Sequence, residues 1–350
     1  MAKNLVIVES PAKTKTIQKY LGKDFDILAS FGHVREIPSK STSIDVEDNF
    51  KIKYVTNDRS KKHLDAIKKS AKTAENIYLA TDPDREGEAI SWHVQEVLKN
   101  AKLLKDKNVY RISFNEITKT AVTNAIENPK SLDMDMVNAQ KARQALDFLV
   151  GFNLSPLLWR KITSGLSAGR VQSPALRMIV EREIEREAFI KKDYWSIAAD
   201  TFKKKQIFAN LTEFNNKKIE QFSFTDEKAV EKAKKTIEKD ADGFLIVEGI
   251  VDKKSRRNPY PPFITSTLQQ EASKKLGFTA RRTMSTAQKL YEGMDLGNGE
   301  SVGLISYMRT DSVNLSNDAI EDIRTFIENK FEKDMLPAQP RVFTKKSQNA

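Results

Sequence analysis

The sequence predicts an α/β fold at its N-terminus, a Rossmann-like parallel sheet, followed by helical and then mixed segments. Three patterns predict it. In the first third, short apolar runs at residues 4–8, 25–30, 77–80 and 109–113 alternate with amphipathic stretches from Pro11, at 61–72 and at 86–98. Strands separated by helices pair in parallel through right-handed crossovers, in a sheet covered on both faces. From 134 to 187 the apolar residues fall at helical spacings, among them Val137, Ala142, Ala145 and Leu149, and later Val171, Ala175 and Ile179. Beyond that, 194–201, 206–211 and 244–250 read as strands around a Lys-rich helix at 226–239, and 256–262 forms a basic, proline-rich joint. Further helices are expected at 265–276, 279–291 and 317–331, before a polar tail.

Composition narrows the class. At 350 residues the chain is too long for one ordinary domain, since domains run to about 100–200 residues. Hydrophobic residues at 39% and charged residues at 31% give packed cores under a solvated surface, not a disordered chain. Lys and Arg number 59 against 48 acids, a formal charge of +11, which favours a polyanionic partner. With no cysteine, disulfides and thiolate metal sites are excluded, and any metal must be held by oxygen or imidazole. The opening apolar run is too short for a signal sequence and no later run approaches the roughly 18 residues of a membrane span. A soluble, cytoplasmic protein is expected.

The chemistry concentrates at two strand ends. TDPDREGE, residues 81–88, follows the run at 77–80 and places Asp82, Asp84, Glu86 and Glu88 in a turn that opens a helix. Ligands of open α/β sheets collect at the carboxyl ends of strands. Asp82 and Asp84, two apart on extended chain, project to one side, and such oxygen ligands suit Mg²⁺ bound to phosphate. The plainer reading is that acids at a helix start complement its dipole, which is all that Glu86 and Glu88 need do. The first strand also ends in an acid, Glu9, followed by Ser10 as an N-cap, Pro11 at the first helical position, and Lys13. A carboxylate beside a metal site can carry a proton to a leaving oxygen while a lysine offsets phosphate charge, so the pairing suits phosphoryl transfer.

A first strand ending in Glu, then Asp-x-Asp-x-Glu after a later strand, resembles the TOPRIM domain of topoisomerases, bacterial primases and some nucleases. GLISYMRTDS, residues 303–312, resembles the active-site segment of type IA DNA topoisomerases. It puts Tyr307 two residues from Arg309. Holding a tyrosine as phenolate at pH 7 costs roughly 4 kcal/mol unless positive charge stabilises it, and Arg309 is the expected source of that charge. Further segments match the same family in order: LVIVESPAKTKTIQKYLG at 5–22, FGHVREIP at 31–38, RISFNEIT at 111–118, GLSAGRVQSPALRMIVERE at 165–183 and PPFITSTLQQEASKKLGF at 261–278. Together they span the chain from residue 5 to about 316, and VESPAKTKTI with Met308 points to the bacterial relaxing branch over the decatenating one.

The resemblance implies a division into a TOPRIM α/β domain at 1–130, a helical DNA-binding segment at 131–190, the start of a hinge or gate domain at 191–255, and a truncated tyrosine-bearing helical domain at 256–350. It implies a transesterase that relaxes negatively supercoiled DNA without ATP. Tyr307 would form the 5′-phosphotyrosyl bond and Arg309 would position the scissile phosphate. Glu9 would be the general acid and touch the metal, with Lys13 assisting, and Asp82 and Asp84 would bind Mg²⁺, with Glu86 a weaker third. His33, Arg143, Gln144, Asp147, Phe152, Trp159, Ser167, Arg170, Gln172 and Arg309 fall at family DNA-contact positions. Arginine pairs with phosphate and an aromatic supports a splayed base, while core packing is the ordinary use of Phe152 and Trp159. Gln144, Phe148 and Phe152 depart from the family's commoner Arg, Arg and Tyr. The family continues with segments that close its ring, so weak relaxation is expected of this stretch alone, working as a nucleoid-associated monomer. The rival readings are another TOPRIM enzyme, which leaves Tyr307 unexplained, and a single-strand binding module with no covalent step.

Overall fold

The computed structural model describes residues 3–200, 207–255, 257–297, 301–332 and 335–343. They form two compact units, Met1–Arg170 with Pro259–Ala350, and Val171–Asn258.

The first unit is built on a four-stranded sheet whose spatial order is Phe25–Ala29, Asn4–Val8, Asn76–Ala80 and Asn108–Arg111. Every neighbouring pair is parallel, as expected from the intervening helices. The side-chain period of two decides what each face meets. Val6 and Val8 bury on one face with Ile17, Ile112, Ile117, Val122 and Tyr291, whereas Leu5 and Ile7 bury on the other with Leu64, Ile67, Val94 and Leu98. Each such side chain, fully buried, stabilises the fold by about 1.5–3 kcal/mol. The register aligns Val8 with both Ala29 and Ala80. Residues following those three positions therefore emerge together at one sheet edge.

Helices α1 (Pro11–Leu21), α2 (Lys61–Thr73) and α3 (Arg85–Asn100) cross between the strands. Ser10 caps α1, its Oγ accepting from the Ala12 amide at 3.2 Å with Pro11 at the first helical position. Asp84 caps α3, accepting from the Gly87 amide at 2.8 Å. A Cβ at Gly87 would lie 2.2 Å from the Asp82 carbonyl oxygen, so only glycine lets the acidic turn fold this closely over its helix.

Helix α4 (Lys119–Glu127) was not expected, yet Thr118 caps it at 3.2 Å and Val122 is buried. The residues expected as one helical stretch form α5 (Met134–Lys161) and α6 (Gln172–Glu187), with Gly165 at φ 86 in the turn between them. The division between units falls in that turn, inside the stretch read from sequence as one segment. Helices α8 (Thr265–Leu276), α9 (Ala280–Glu292) and α10 (Asn317–Lys330) lie close to their expected positions. Several two-residue antiparallel pairs, such as Arg35–Glu36 with Val55–Thr56, were invisible in sequence because two residues carry no period.

In the second unit, Ala198–Asp200 pairs antiparallel with Phe208–Asn210; Thr201 and Gln206, the ends of the expected strands, lie outside the described residues, as does Arg256 of the basic joint. Helix α7 (Glu227–Ala241) packs Val230 and Ala233 on Phe224, Trp195 and Leu211. The strand expected at 244–250 is not formed. Phe244, Ile246, Val247 and Ile250 are all exposed, and β-propensity makes no strand without a neighbour to accept its ladder.

Buried on the inner face of α3, His93 makes the first unit sensitive to acid. Arg35 Nε donates to His93 Nδ1 at 2.9 Å, so that nitrogen must be unprotonated. Burial, with Arg35, His33 and Lys141, pushes its pKa down to about 3. Below its ordinary value near 6.5 the unfolded chain gains a proton that the folded chain refuses, so His93 costs stability as pH falls. Between pH 7 and 5 that loss is about 2 kcal/mol. Urea unfolding should show His93→Gln gaining about this much on the parent chain across that window; a gap independent of pH would reject the assignment.

Candidate active site

Three loops leave the aligned strand ends together. Glu9 follows the first strand, the loop 30–33 follows the second, and Asp82 and Asp84 follow the third. Lys13, 1% exposed on α1, forms a buried ion pair with Asp82. The turn is held from behind by Arg111. Its guanidinium donates to the carbonyls of Leu79 at 3.1 Å, Thr81 at 3.0 Å and Asp82 at 2.8 Å, and its Nε pairs with Glu88 at 2.7 Å. Glu88 also accepts from the Asp133 amide at 2.8 Å. Glu88 is thus a buried partner of Arg111 and not a solvated acid complementing the helix dipole.

The segment around Tyr307 packs on the same sheet face as Val6 and Val8. Its amide donates to the Asn115 carbonyl at 2.7 Å, and its ring meets Tyr291 edge-on at 5.2 Å. Thr265, at the start of α8, clasps the following residues: its Oγ1 lies 2.9 Å from the Met308 carbonyl and 3.0 Å from the Thr310 amide. The Tyr307 hydroxyl donates to Asp84 Oδ2 at 2.6 Å. Arg309 reaches Glu86 at 3.1 Å and Asp84 at 3.5 Å. His33 Nε2 lies 3.2 Å from Glu86 Oε1, while its Nδ1 is buried with no hydrogen-bond partner among the described residues.

Charge is unevenly distributed in this cleft. Burial, then Asp82, push the Glu9 carboxyl up to about 7, with Lys13 opposing and Asp84 and Glu86 adding to the rise. Glu86 goes the other way, down to about 2, because the His33 hydrogen bond and Arg309 favour its charge over the cost of burial. Burial, Asp82 and Asp84 hold the Tyr307 phenol well above its usual value, and Arg309 opposes them without prevailing. Burial works against the Arg309 charge, but Tyr307, Asp84 and Glu86 together raise its pKa. Arg309, expected as the charge that would stabilise a phenolate, does favour the phenolate, but burial, Asp82 and Asp84 outweigh it in this arrangement, and its guanidinium is engaged by Glu86 and Asp84.

The Toprim domain family matches residues 4–117, and a family described as DNA topoisomerase matches residues 131–350. The chain belongs to the DNA topoisomerase family. DNA topoisomerase 1 of Xylella fastidiosa (strain Temecula1) is 58% identical over the whole chain, which spans 43% of that relative. DNA topoisomerase 1 of Rickettsia bellii is 54% identical over 99% of the chain and 43% of its own length. Among solved structures, full-length topoisomerase I from Thermotoga maritima superposes with a TM-score of 0.76 at 39% identity, covering 93% of this chain and 52% of that one. The chain thus spans less than half the length of these curated relatives.

In this topoisomerase chain the expected DNA-contact residues are only partly gathered. Arg143 stands near Arg85 and Arg170, and burial with those two like charges lowers its pKa. Arg170 forks onto Asp147 at 2.8 and 3.1 Å. Gln144 accepts from the Tyr54 hydroxyl at 3.2 Å. Phe152 is exposed and stacks on Phe148 at 5.3 Å, and Trp159, also exposed, donates its indole N–H to the Leu166 carbonyl at 2.5 Å. Ser167 is exposed in the turn after α5. Gln172 opens α6 in the other unit.

The acids have the donor chemistry for a hard divalent cation, and the rise at Glu9, caused first by burial and then by Asp82, is one that a neighbouring cation would oppose. The carboxylates are turned instead to Lys13, Tyr307, Arg309 and His33. Among the described residues no three acidic or imidazole groups are already arranged to hold a metal. Among them, too, no helix is long and apolar enough to cross a membrane.

Sequence reasoning assigned no role to Arg111, Tyr291 or Thr265, although RISFNEIT and PPFITST were read as family segments. Tyr291 is fully buried, its hydroxyl 3.2 Å from the Phe114 carbonyl, with Lys13 5.1 Å from its ring centre. Nothing in local spacing marks a tyrosine on an amphipathic helix as the wall of a site.

Proposed function

We propose that this chain carries the cleavage and resealing centre of a type IA DNA topoisomerase, acting on single-stranded regions of negatively supercoiled DNA. The observation that carries the reading is the 2.6 Å hydrogen bond between Tyr307 and Asp84, residues 223 apart in sequence. Tyr307, Glu9, Lys13 and Arg309 all stand around the same acidic turn, with a phenol, a carboxyl whose proton is held to about neutral pH, and two cations gathered there.

In this reading the Tyr307 oxygen attacks the scissile phosphorus, forming a 5′-phosphotyrosyl bond as the bond to the 3′-oxygen breaks. The phenolic proton leaves along the hydrogen bond to Asp84. Glu9 delivers a proton to the departing 3′-oxygen, and the reverse sequence reseals the strand. One phosphodiester replaces another, so no ATP is consumed. Arg309 lets go of Glu86 and Asp84 to hold the phosphate, which offers the guanidinium a bidentate anion. Mg²⁺ held by Asp82 and Asp84, with Glu9 and Glu86 beside it, would supply further charge stabilisation.

The incoming strand would follow α5, where Arg143, Gln144, Asp147, Phe152 and Trp159 lie, with Ser167, Arg170 and Gln172 beyond it. Residues 1–130 serve as the TOPRIM domain, 131–190 as DNA-binding segment, 191–255 as the start of a gate and 256–350 as carrier of the nucleophile. Burial, then Arg85 and Arg170, disfavour the Arg143 charge, and a phosphate would offset all three. Arg143→Ala should reduce the slope of log affinity against log salt by about 0.7 for single-stranded DNA. An unchanged slope would remove Arg143 from the interface.

The test of function is direct. The chain is incubated with end-labelled single-stranded DNA and Mg²⁺, denatured, and examined for label attached to protein. A covalent product is expected. Salt-sensitive binding with no product at any Mg²⁺ concentration would leave a binding module and refute the cleavage reading.

A further inference from the structure

We propose that Phe31 is a stacking platform for a nucleobase of single-stranded DNA beside the phosphate that Tyr307 attacks. The inference rests on the cleavage reading above and adds a substrate-positioning residue to it.

Phe31 sits in the loop that leaves the strand Phe25–Ala29 and is tied to the site on both sides. The Ser30 amide donates to the Val8 carbonyl at 2.9 Å, and the Gly32 amide donates to the Glu9 carbonyl at 3.2 Å. Two residues on, His33 contacts Glu86, which in turn holds Arg309. Consecutive Cα atoms are about 3.8 Å apart, so the Phe31 backbone lies within roughly two such steps of His33.

Its conformation is unusual. Phe31 has φ 60, in the left-handed region, and Gly32 follows at φ 86. A bulky aromatic residue is an outlier there, and such outliers persist where surrounding contacts hold them, most often at binding and catalytic sites. The contacts are present: the ring stacks on His63 with centroids 3.7 Å apart and planes 22° from parallel. Yet Phe31 is 50% exposed. Burial in the core does not account for it, since neither apolar cluster of the first unit includes it.

An aromatic ring held in place, half in solvent, on the loop whose His33 reaches Arg309 through Glu86 and keeps a buried ring nitrogen with no partner among the described residues, fits one occupant best. A nucleotide presents a flat apolar face for the ring, and acceptor oxygens for Arg309. Aromatic stacking is the general way proteins grip unpaired bases, and it tolerates any sequence because every base has a π-face.

The test uses the 350-residue chain and single-stranded oligonucleotides carrying 2-aminopurine at successive positions around the mapped cleavage site. One position should be strongly quenched on binding. Phe31→Leu, which keeps an apolar side chain but no π-face, should lose that quenching and bind about 5- to 100-fold more weakly, while Phe31→Tyr should retain both. An abasic residue at the quenched position should weaken the parent chain by the same factor and leave Phe31→Leu no weaker still. Equal binding by the leucine variant, or an equal fall on the abasic oligonucleotide, would overturn the assignment; so would persistent quenching. A leucine variant whose melting temperature falls by more than a few degrees would point to a purely structural Phe31, and Phe31→Tyr with parental stability but leucine-like binding would overturn the proposal independently. If the parent chain bound DNA but formed no covalent product, the cleavage reading would fall and the stacking result would stand or fall on its own fluorescence.

Discussion

Tyr307→Phe is expected to abolish the covalent protein–DNA product, a loss of at least about a thousandfold in the rate of cleavage. The variant removes one oxygen and nothing else, so binding of single-stranded DNA should persist. Stability should change little. The phenol is 6% exposed and donates a single hydrogen bond to Asp84, and such a bond to a charged acceptor contributes about 1.5–3 kcal/mol. Against that loss stands the relief of a buried polar group, while Asp84 keeps the Gly87 amide and the nearby Arg309. The melting temperature should therefore move by only a few degrees. Label still attached to the denatured variant would show that another group is the nucleophile.

The second large effect is on folding. Arg111→Leu should cost about 3–5 kcal/mol, because it strands the carboxylate of Glu88 in a buried position and takes a donor from four carbonyls, those of Leu79, Thr81, Asp82 and Ile112, of which Leu79 keeps the Ile112 amide. Arg111 is 3% exposed and Glu88 5%, so solvent offers little screening. At roughly 2–4 °C per kcal/mol for a unit of this size, the thermal midpoint should fall by about 10 °C. The double variant Arg111→Leu with Glu88→Leu should recover part of the loss, since no lone charge is left inside. A single variant that melts within 2 °C of the parent would mean that the pair is solvated and does not organise the acidic turn. Because Arg111 grips the carbonyls of Leu79, Thr81 and Asp82, the same variant should weaken cleavage even below its melting point.

These predictions bear on how far the chain could be read without coordinates. Strands with clean apolar runs, such as Asn4–Val8, and helices with a strong cap, such as α1 behind Ser10, were legible because local chemistry alone favours them. The strand expected at 244–250 shows the limit. Its side chains have the propensity, but a ladder needs a partner, and none of the described residues supplies one. Glu88 shows the opposite error: an acid in the first turn of a helix reads as a dipole partner until the next strand, Asn108–Arg111, brings Arg111 beside it.

By itself the sequence determined the parallel α/β framework, the two strand ends where acids collect, and the candidacy of Tyr307, because spacing, capping and side-chain chemistry act within a few residues and are written locally. Only the tertiary structure decided that Val8, Ala29 and Ala80 share one register, that Asp84 rather than Arg309 is the partner of the phenol, and that burial lifts Tyr307 and Glu9 while His33 holds Glu86 charged. Desolvation and long-range pairing depend on which residues end up beside one another, and that is settled by packing across hundreds of residues of chain.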